Sequence, residues 1–425
     1  MVTYLSRYLK SSYSSLIYVV SIQGVLIGVN FLCGILNLRF LSKSEYALYV
    51  IINSIIAILN ILSDSGITSG VLIEGAKCWN DPQKLANVIC SAKRIRVVYA
   101  LISSFLVLPY YFFVLREVDV STSFIVIINI LLILNFVYLL NFNIENIPFK
   151  LNNEHKFLQN VQLKASGIKL FGSLLIYIIP SAICLTFFNT LSSIFSGASI
   201  KPKLSTFLSS KGEFSKDVKK TIFSTTAKIL PLNIYYIFSG QIITFILSLK
   251  GDLVNIANLG ALGAVGIIYS LFRNVFSQYI NPMFSKYESK DSAIKAYYRI
   301  NLANFILAFG VVFILYTLKE VVFFILGPKY EGLSHEFIIA LVATAINYIS
   351  ATSLSMWGTK SKSYIMRPSL YVSVNILVIA GLLWKMNLDT LNEYVYFSFY
   401  LSFANIIINL LFNFYILKKV KAKWL

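Results

Sequence analysis

Apolar residues dominate the chain in long runs, broken by short polar clusters. Runs of this kind fall at 14–36, 46–70, 96–115, 122–145, 164–182, 183–200, 229–249, 257–281, 302–326, 335–357, 364–385 and 393–417. A helix needs about 20 apolar residues to cross the hydrocarbon of a bilayer. The pattern therefore predicts an all-α integral membrane protein of about twelve transmembrane helices. The stretch 164–200 is one continuous apolar run. Pro180 divides it into a tight helical pair with a very short connection, because proline cannot continue a helix interior.

Charge tests the division independently. Lys and Arg total 37 against 18 Asp and Glu, a net charge of +19 in 425 residues. With the N-terminus placed inside, 29 of these cations fall on the inner side and 7 on the outer side, while Arg273 lies inside a span. Lopsided basic loops of this kind orient membrane proteins. The positive charge is thus a property of the loops and does not point to nucleic acid. Arg7 and Lys10 ahead of the first run, and the terminal KKVKAKWL beside an anionic leaflet, place both termini in the cytoplasm. The first run is too long for a signal-peptide core.

The longest polar stretch, 201–228, is basic and sits midway. It divides the chain into an N-lobe (1–200, spans 1–6), a cytoplasmic linker (201–228) and a C-lobe (229–425, spans 7–12). Inverted or duplicated halves are common in transporters, although no residue-level repeat is visible here.

Enzyme signatures are missing from the sequence. It contains no GxxxxGK[ST] phosphate loop and no GxSxG or HExxH motif. Cys33, Cys78, Cys90 and Cys184 show no CxxC spacing, and His155 and His335 lie in polar loops, so neither a metal nor a cofactor is expected.

The remaining chemistry lies in polar residues at membrane depth, where a charge costs about 2.5–3.5 kcal/mol and faces a cavity or a partner. Asn53, Asn60 and Asp64 share one face of the second span. They form either a coupling-ion or polar-substrate site or a hydrogen-bonded helix contact. Arg273 lies deep in the eighth span with Asn274 and Gln278 nearby. It is either a phosphate-binding group, since guanidinium grips phosphate bidentately, or the partner of a carboxylate. Glu145 and Glu74 end the fourth and second spans and are further candidates for ion coupling or simple interfacial residues. Asn405, Asn409 and Asn413 form a stripe in the last span, explained equally by helix packing.

Three stretches bear a likeness to a known family: RFLSKSEYALY at 39–49, SDSGITSGVLIEGAK at 63–77 and FFILGPKYEGLS at 323–334. With these, the chain resembles the Wzx-type O-antigen flippases, polysaccharide transporters of the multidrug/oligosaccharidyl-lipid/polysaccharide (MOP) superfamily. Ala47 stands where that family's motif has glycine. The resemblance implies two six-helix lobes of MOP/MATE type around a central cavity. It implies movement of an undecaprenyl-pyrophosphate-linked oligosaccharide across a bacterial inner membrane by alternating access coupled to H+ or Na+, with membrane lipids and a polysaccharide polymerase as further partners. Arg39 and Asp64 match its motifs and become cavity or gate residues. Two rivals stand beside it. One is a multidrug/cation antiporter of the same superfamily. The other is a membrane polysaccharide polymerase, which requires a large extramembrane loop that the sequence lacks.

Overall fold

The computed structural model describes residues 2–117, 120–152, 154–208, 212–264, 266–285, 287, 289–360 and 368–422. The basic loop at 361–367 and the last three residues of the terminal KKVKAKWL lie outside them. No strand occurs among the described residues. In chain order the α-helices are α1 (Val2–Phe40), α2 (Lys43–Asp64), α3 (Ile67–Lys77), α4 (Pro82–Glu117), α5 (Thr122–Glu145), α6 (Ile147–Leu151), α7 (His155–Leu175), α8 (Ala182–Leu204) and α9 (Lys216–Leu249). They continue with α10 (Leu253–Ala264), α11 (Gly266–Val275), α12 (Asn281–Ser285), α13 (Lys290–Thr317), α14 (Lys319–Leu326), α15 (Ser334–Lys360), α16 (Pro368–Lys385) and α17 (Leu391–Ala422).

Among the described residues, nine helical segments are long and apolar enough to cross a membrane, and Asn233–Leu249 and Tyr371–Lys385 are shorter apolar helices. α7 stands outside that set; Gln159, Asn160 and Gln162 dilute its apolar surface along with Lys156, Lys164 and Lys169. Large apolar side chains such as Leu101, Phe105, Phe313 and Leu377 are exposed on the helix surfaces. Exposure on that scale suits hydrocarbon rather than water, and the chain is a multi-pass membrane protein.

The helices extend beyond the apolar runs. α4 holds 36 residues, about 54 Å at 1.5 Å per residue, against about 30 Å of hydrocarbon. The polar stretch 77–96 is therefore not a loop but largely the first turns of this helix. It starts where Asp81 Oδ1 accepts hydrogen bonds from the backbone N–H groups of Gln83 and Lys84, both at 3.1 Å. The bond from the Lys84 backbone, then the Lys84 ammonium 3.2 Å from Oδ2, and to a lesser extent the Gln83 backbone, hold the Asp81 carboxyl below its ordinary range. The run read as 302–326 is likewise divided. α13 ends at Thr317 and α14 restarts at Lys319, before Gly327 (φ 102°) and a 3-10 turn over Pro328–Leu333 that buries Tyr330. The run 257–281 is a series: α10, α11, a π-helical turn over Phe276–Ile280, then α12.

The chain forms two compact units, Met1–Ile256 and Ala257–Leu425. In the first, α5 and α7 pack on α8, α1 packs on α7, α2 and α3 pack on α4, and all three pack on α9. The Pro180 division appears as a short connection between α7 and α8, with Ser181 capping α8. Glu45, in the SKSEYALY segment, reaches across to accept the backbone N–H of Ala182 at 2.6 Å. A carboxylate at a helix N-terminus meets both orphan N–H groups and the positive end of the dipole. In the second unit, α15 packs against α13 and α17, and α16 against α17.

Candidate functional site

α2 stops at Asp64 because the next two residues turn left-handed, Ser65 (φ 39°) and Gly66 (φ 94°), after which α3 starts. Glycine takes that conformation without a Cβ penalty. The break leaves Asp64 facing the first turn of α3, where its Oδ1 accepts from the backbone N–H of Thr68 at 3.3 Å and from the Thr68 hydroxyl.

Arg96 of α4 comes to the same carboxylate, with Nη1 3.3 Å from Oδ1. Its Nη2 donates to Asn60 Oδ1 at 3.4 Å, and Asn143 of α5 donates its Nδ2 to that same oxygen at 3.2 Å. One turn earlier on α4, Lys93 pairs with Glu145 of α5. Two ion pairs, one turn apart, thus tie α4 to α2 and to α5. The Arg96 and Glu145 side chains are 2% and 4% exposed, those of Asp64 and Lys93 29% and 36%. The cluster lies beside an apolar core of Ile67, Ile89, Ala92, Ile95, Ile144 and Ile222. Charges there are poorly screened and depend on one another.

Arg96 retains unused capacity. Its Nε and Nη1 meet no hydrogen-bond acceptor among the described residues, and neither does Oε2 of Glu145 a donor. A guanidinium offers five N–H donors in a planar fork, and buried polar groups rarely go without partners.

The other residues singled out in the sequence lie apart. Asn53 shares the α2 face with Asn60 and Asp64 but donates to the Tyr49 carbonyl of its own helix at 2.7 Å. Glu74 pairs with Lys77 on α3 at 2.6 Å. Arg39 is exposed at the end of α1. In the second unit, Arg273 and Asn274 are exposed on α11, directly ahead of the π-helical turn. Arg273 enters no ion pair among the described residues. The side chain of Gln278 lies outside those described.

The second unit has a polar interior of another kind, made of neutral groups. Asn304 joins Tyr348 and Thr352, the Tyr297 hydroxyl joins Ser353, Asn413 donates to Ser353, and Asn347 donates to Ser402. Asn409 reaches Ser350. These bonds hold α13, α15 and α17 together as interhelical asparagine contacts do in membranes, at about 0.6 kcal/mol each.

Lys93, Arg96 and Asn143 are not among the residues that the sequence singles out. The available signal is the i, i+3 spacing of Lys93 and Arg96 at the head of the apolar run 96–115.

No family model and no curated protein matches the sequence. The fold has solved counterparts. The lipid II flippase MurJ in an inward closed conformation is similar with a TM-score of 0.70 and 14% identity, over 95% of this chain and 87% of that one. An inward-facing multidrug resistance MATE family transporter of the MOP superfamily is similar with a TM-score of 0.62 and 14% identity, over 93% and 96%. A MOP superfamily transporter from Pyrococcus furiosus gives 0.52 and 14%, over 96% and 95%. The chain has the MOP transporter fold.

Proposed function

We propose that the chain is a flippase that carries an undecaprenyl-pyrophosphate-linked oligosaccharide, of the O-antigen or a similar surface polysaccharide, across a bacterial inner membrane. A sugar chain bearing pyrophosphate cannot cross hydrocarbon unaided. A protein that moves it needs cationic donors at membrane depth and a scaffold with alternating access. The observation that carries the reading is the buried Arg96–Asp64 pair, with its asparagine neighbours, inside a fold whose solved examples include a lipid II flippase.

In this reading Arg273, Asn274 and Gln278 contact the headgroup. Their place at a π-helical turn supports it, since such turns recur at functional sites. Arg39 guards the outer end of α1. Asp64 takes up the coupling H+ or Na+. Glu145, paired with Lys93, and Glu74, paired with Lys77, are the further candidates for that role. Both termini are cytoplasmic, and a polysaccharide polymerase is the expected neighbour. A multidrug/cation antiporter is the second reading, favoured by the same fold in multidrug transporters.

Expression in cells lacking their own O-antigen flippase tests the proposal. The chain is expected to restore surface polysaccharide, and Arg273→Ala to lower the yield at normal protein level. Full complementation by Arg273→Ala would remove that arginine from the cargo path. Drug resistance without polysaccharide would favour the antiporter.

A further inference from the structure

We propose that Arg96 is a binding group for a phosphate or pyrophosphate anion, and that Asp64 is its resident counter-ion, displaced when the anion arrives. The inference deepens the flippase reading and, for the lipid-borne form of the ligand, rests on it.

The geometry around Arg96 is incomplete. The side chain is almost wholly buried, yet its Nε and Nη1 meet no acceptor in hydrogen-bond geometry among the described residues. Asp64 approaches it through Oδ1, an oxygen already shared by the backbone N–H and hydroxyl of Thr68. A guanidinium bound in its preferred way meets two oxygens along its fork, as carboxylates and phosphates provide. Asp64 thus neutralises Arg96 without saturating it. Phosphate oxygens reaching Nε or Nη1 would supply what is lacking, each atom on its own edge of the guanidinium beside Nη2.

Access is asymmetric as well. Asp64 and Lys93 are partly exposed while Arg96 is almost wholly buried, so in this proposal Arg96 becomes reachable only as Asp64 moves aside. Thr68 gives Asp64 a second partner at the N-terminal turn of α3, where the backbone dipole favours a negative group. The carboxylate therefore has somewhere to remain when Arg96 is taken. Lys93, one turn away, and the Nδ2 of Asn143 offer further donors on the same rim. Glu145 opposes the anion and balances Lys93. Two cations against two carboxylates leave the cluster neutral at rest. Its affinity for an anion is then weak until Asp64 moves aside, which suits a carrier that must release its cargo.

Purified full-length protein in detergent, titrated with inorganic pyrophosphate, tests this. Wild type is expected to bind, and Arg96→Lys, which keeps the charge but loses the fork, to bind on the order of tenfold more weakly, a difference of about 1.4 kcal/mol. Asp64→Asn removes the competitor and is expected to bind at least as much tighter. Pyrophosphate should also raise the melting temperature of Asp64→Asn more than that of wild type, because a ligand stabilises the state it binds. Equal affinities for wild type, Arg96→Lys and Asp64→Asn, or no binding by any of them, overturn the proposal.

A second arm uses nanodiscs containing polyprenyl pyrophosphate or polyprenol. Arg96-dependent preference for the pyrophosphate lipid supports a lipid headgroup as the ligand. Binding of the soluble anion without that preference upholds the anion site and counts against the flippase reading. Lipid translocation with no Arg96-dependent binding does the reverse.

Discussion

Arg96→Ala is expected to destabilise the first unit by about 3 kcal/mol. Removing one member of a buried ion pair typically costs 3–5 kcal/mol because the other charge is left uncompensated. Asp64 is partly exposed, which sets the value at the lower end. The loss also takes a donor from Asn60, leaving that oxygen to Asn143 alone. Unfolding of the purified protein in mixed micelles of increasing denaturing detergent measures the change. The neutral double variant Asp64→Asn/Arg96→Gln is expected to recover more than half of it, since neither side then buries an unpaired charge. Partners in contact couple energetically. A double variant as unstable as the sum of its single changes would contradict the pairing.

Gly172→Ala is expected to be nearly as harmful, although only one methyl group is added. A Cβ at Gly172 would lie 2.4 Å from Cβ and 2.6 Å from Cγ of Phe188. The Phe188 Cβ is fixed to the α8 backbone, so no rotamer change relieves the contact. α7 and α8 must separate, and α7 also carries the contact with α1. Overpacking of this type costs about 1–3 kcal/mol, and the same unfolding measurement reads it. Phe188→Ala removes the clashing ring carbons but keeps the Cβ, so it is expected to rescue Gly172→Ala only in part. Unchanged stability of Gly172→Ala would show that the two helices are not packed this closely.

Much of the architecture was legible in the sequence. Hydropathy alone separates α7 from α8 at Pro180, since the run is too long for one crossing and proline ends a helix. It also marks the Gly-Pro turn between α14 and α15. What hydropathy does not register is where a helix ends once it leaves the hydrocarbon. α4 begins fourteen residues before Arg96, and a polar stretch that is helical looks the same as a polar loop. Lys93 and Arg96 lie at the inner edge of the run 96–115, where charge counts them with the inner side. The cluster was half visible. Asn60 and Asp64 lie on one face of α2 by spacing, and both belong to it. Asn53 shares that spacing yet bonds to its own backbone, because which residue on a face meets a neighbour depends on where α4 and α5 cross. Glu45 illustrates the same limit. Within SKSEYALY it looks like part of a family motif, and only the return of α8 shows it capping a helix. Thirty-two residues separate Asp64 from Arg96, and no local rule pairs them.

As a flippase, the chain would move a pyrophosphate-linked oligosaccharide from one leaflet to the other. Proteoliposomes of the purified chain, loaded with a labelled undecaprenyl-pyrophosphate oligosaccharide, test it most directly. The measurement is how fast the label in one leaflet becomes accessible to a sugar-modifying enzyme added on the other side. Crossing is expected to be faster than in protein-free liposomes, and slower with Arg96→Gln at equal reconstitution. Crossing no faster than in protein-free liposomes, from folded protein that extrudes a cationic drug in the same vesicles, would contradict it.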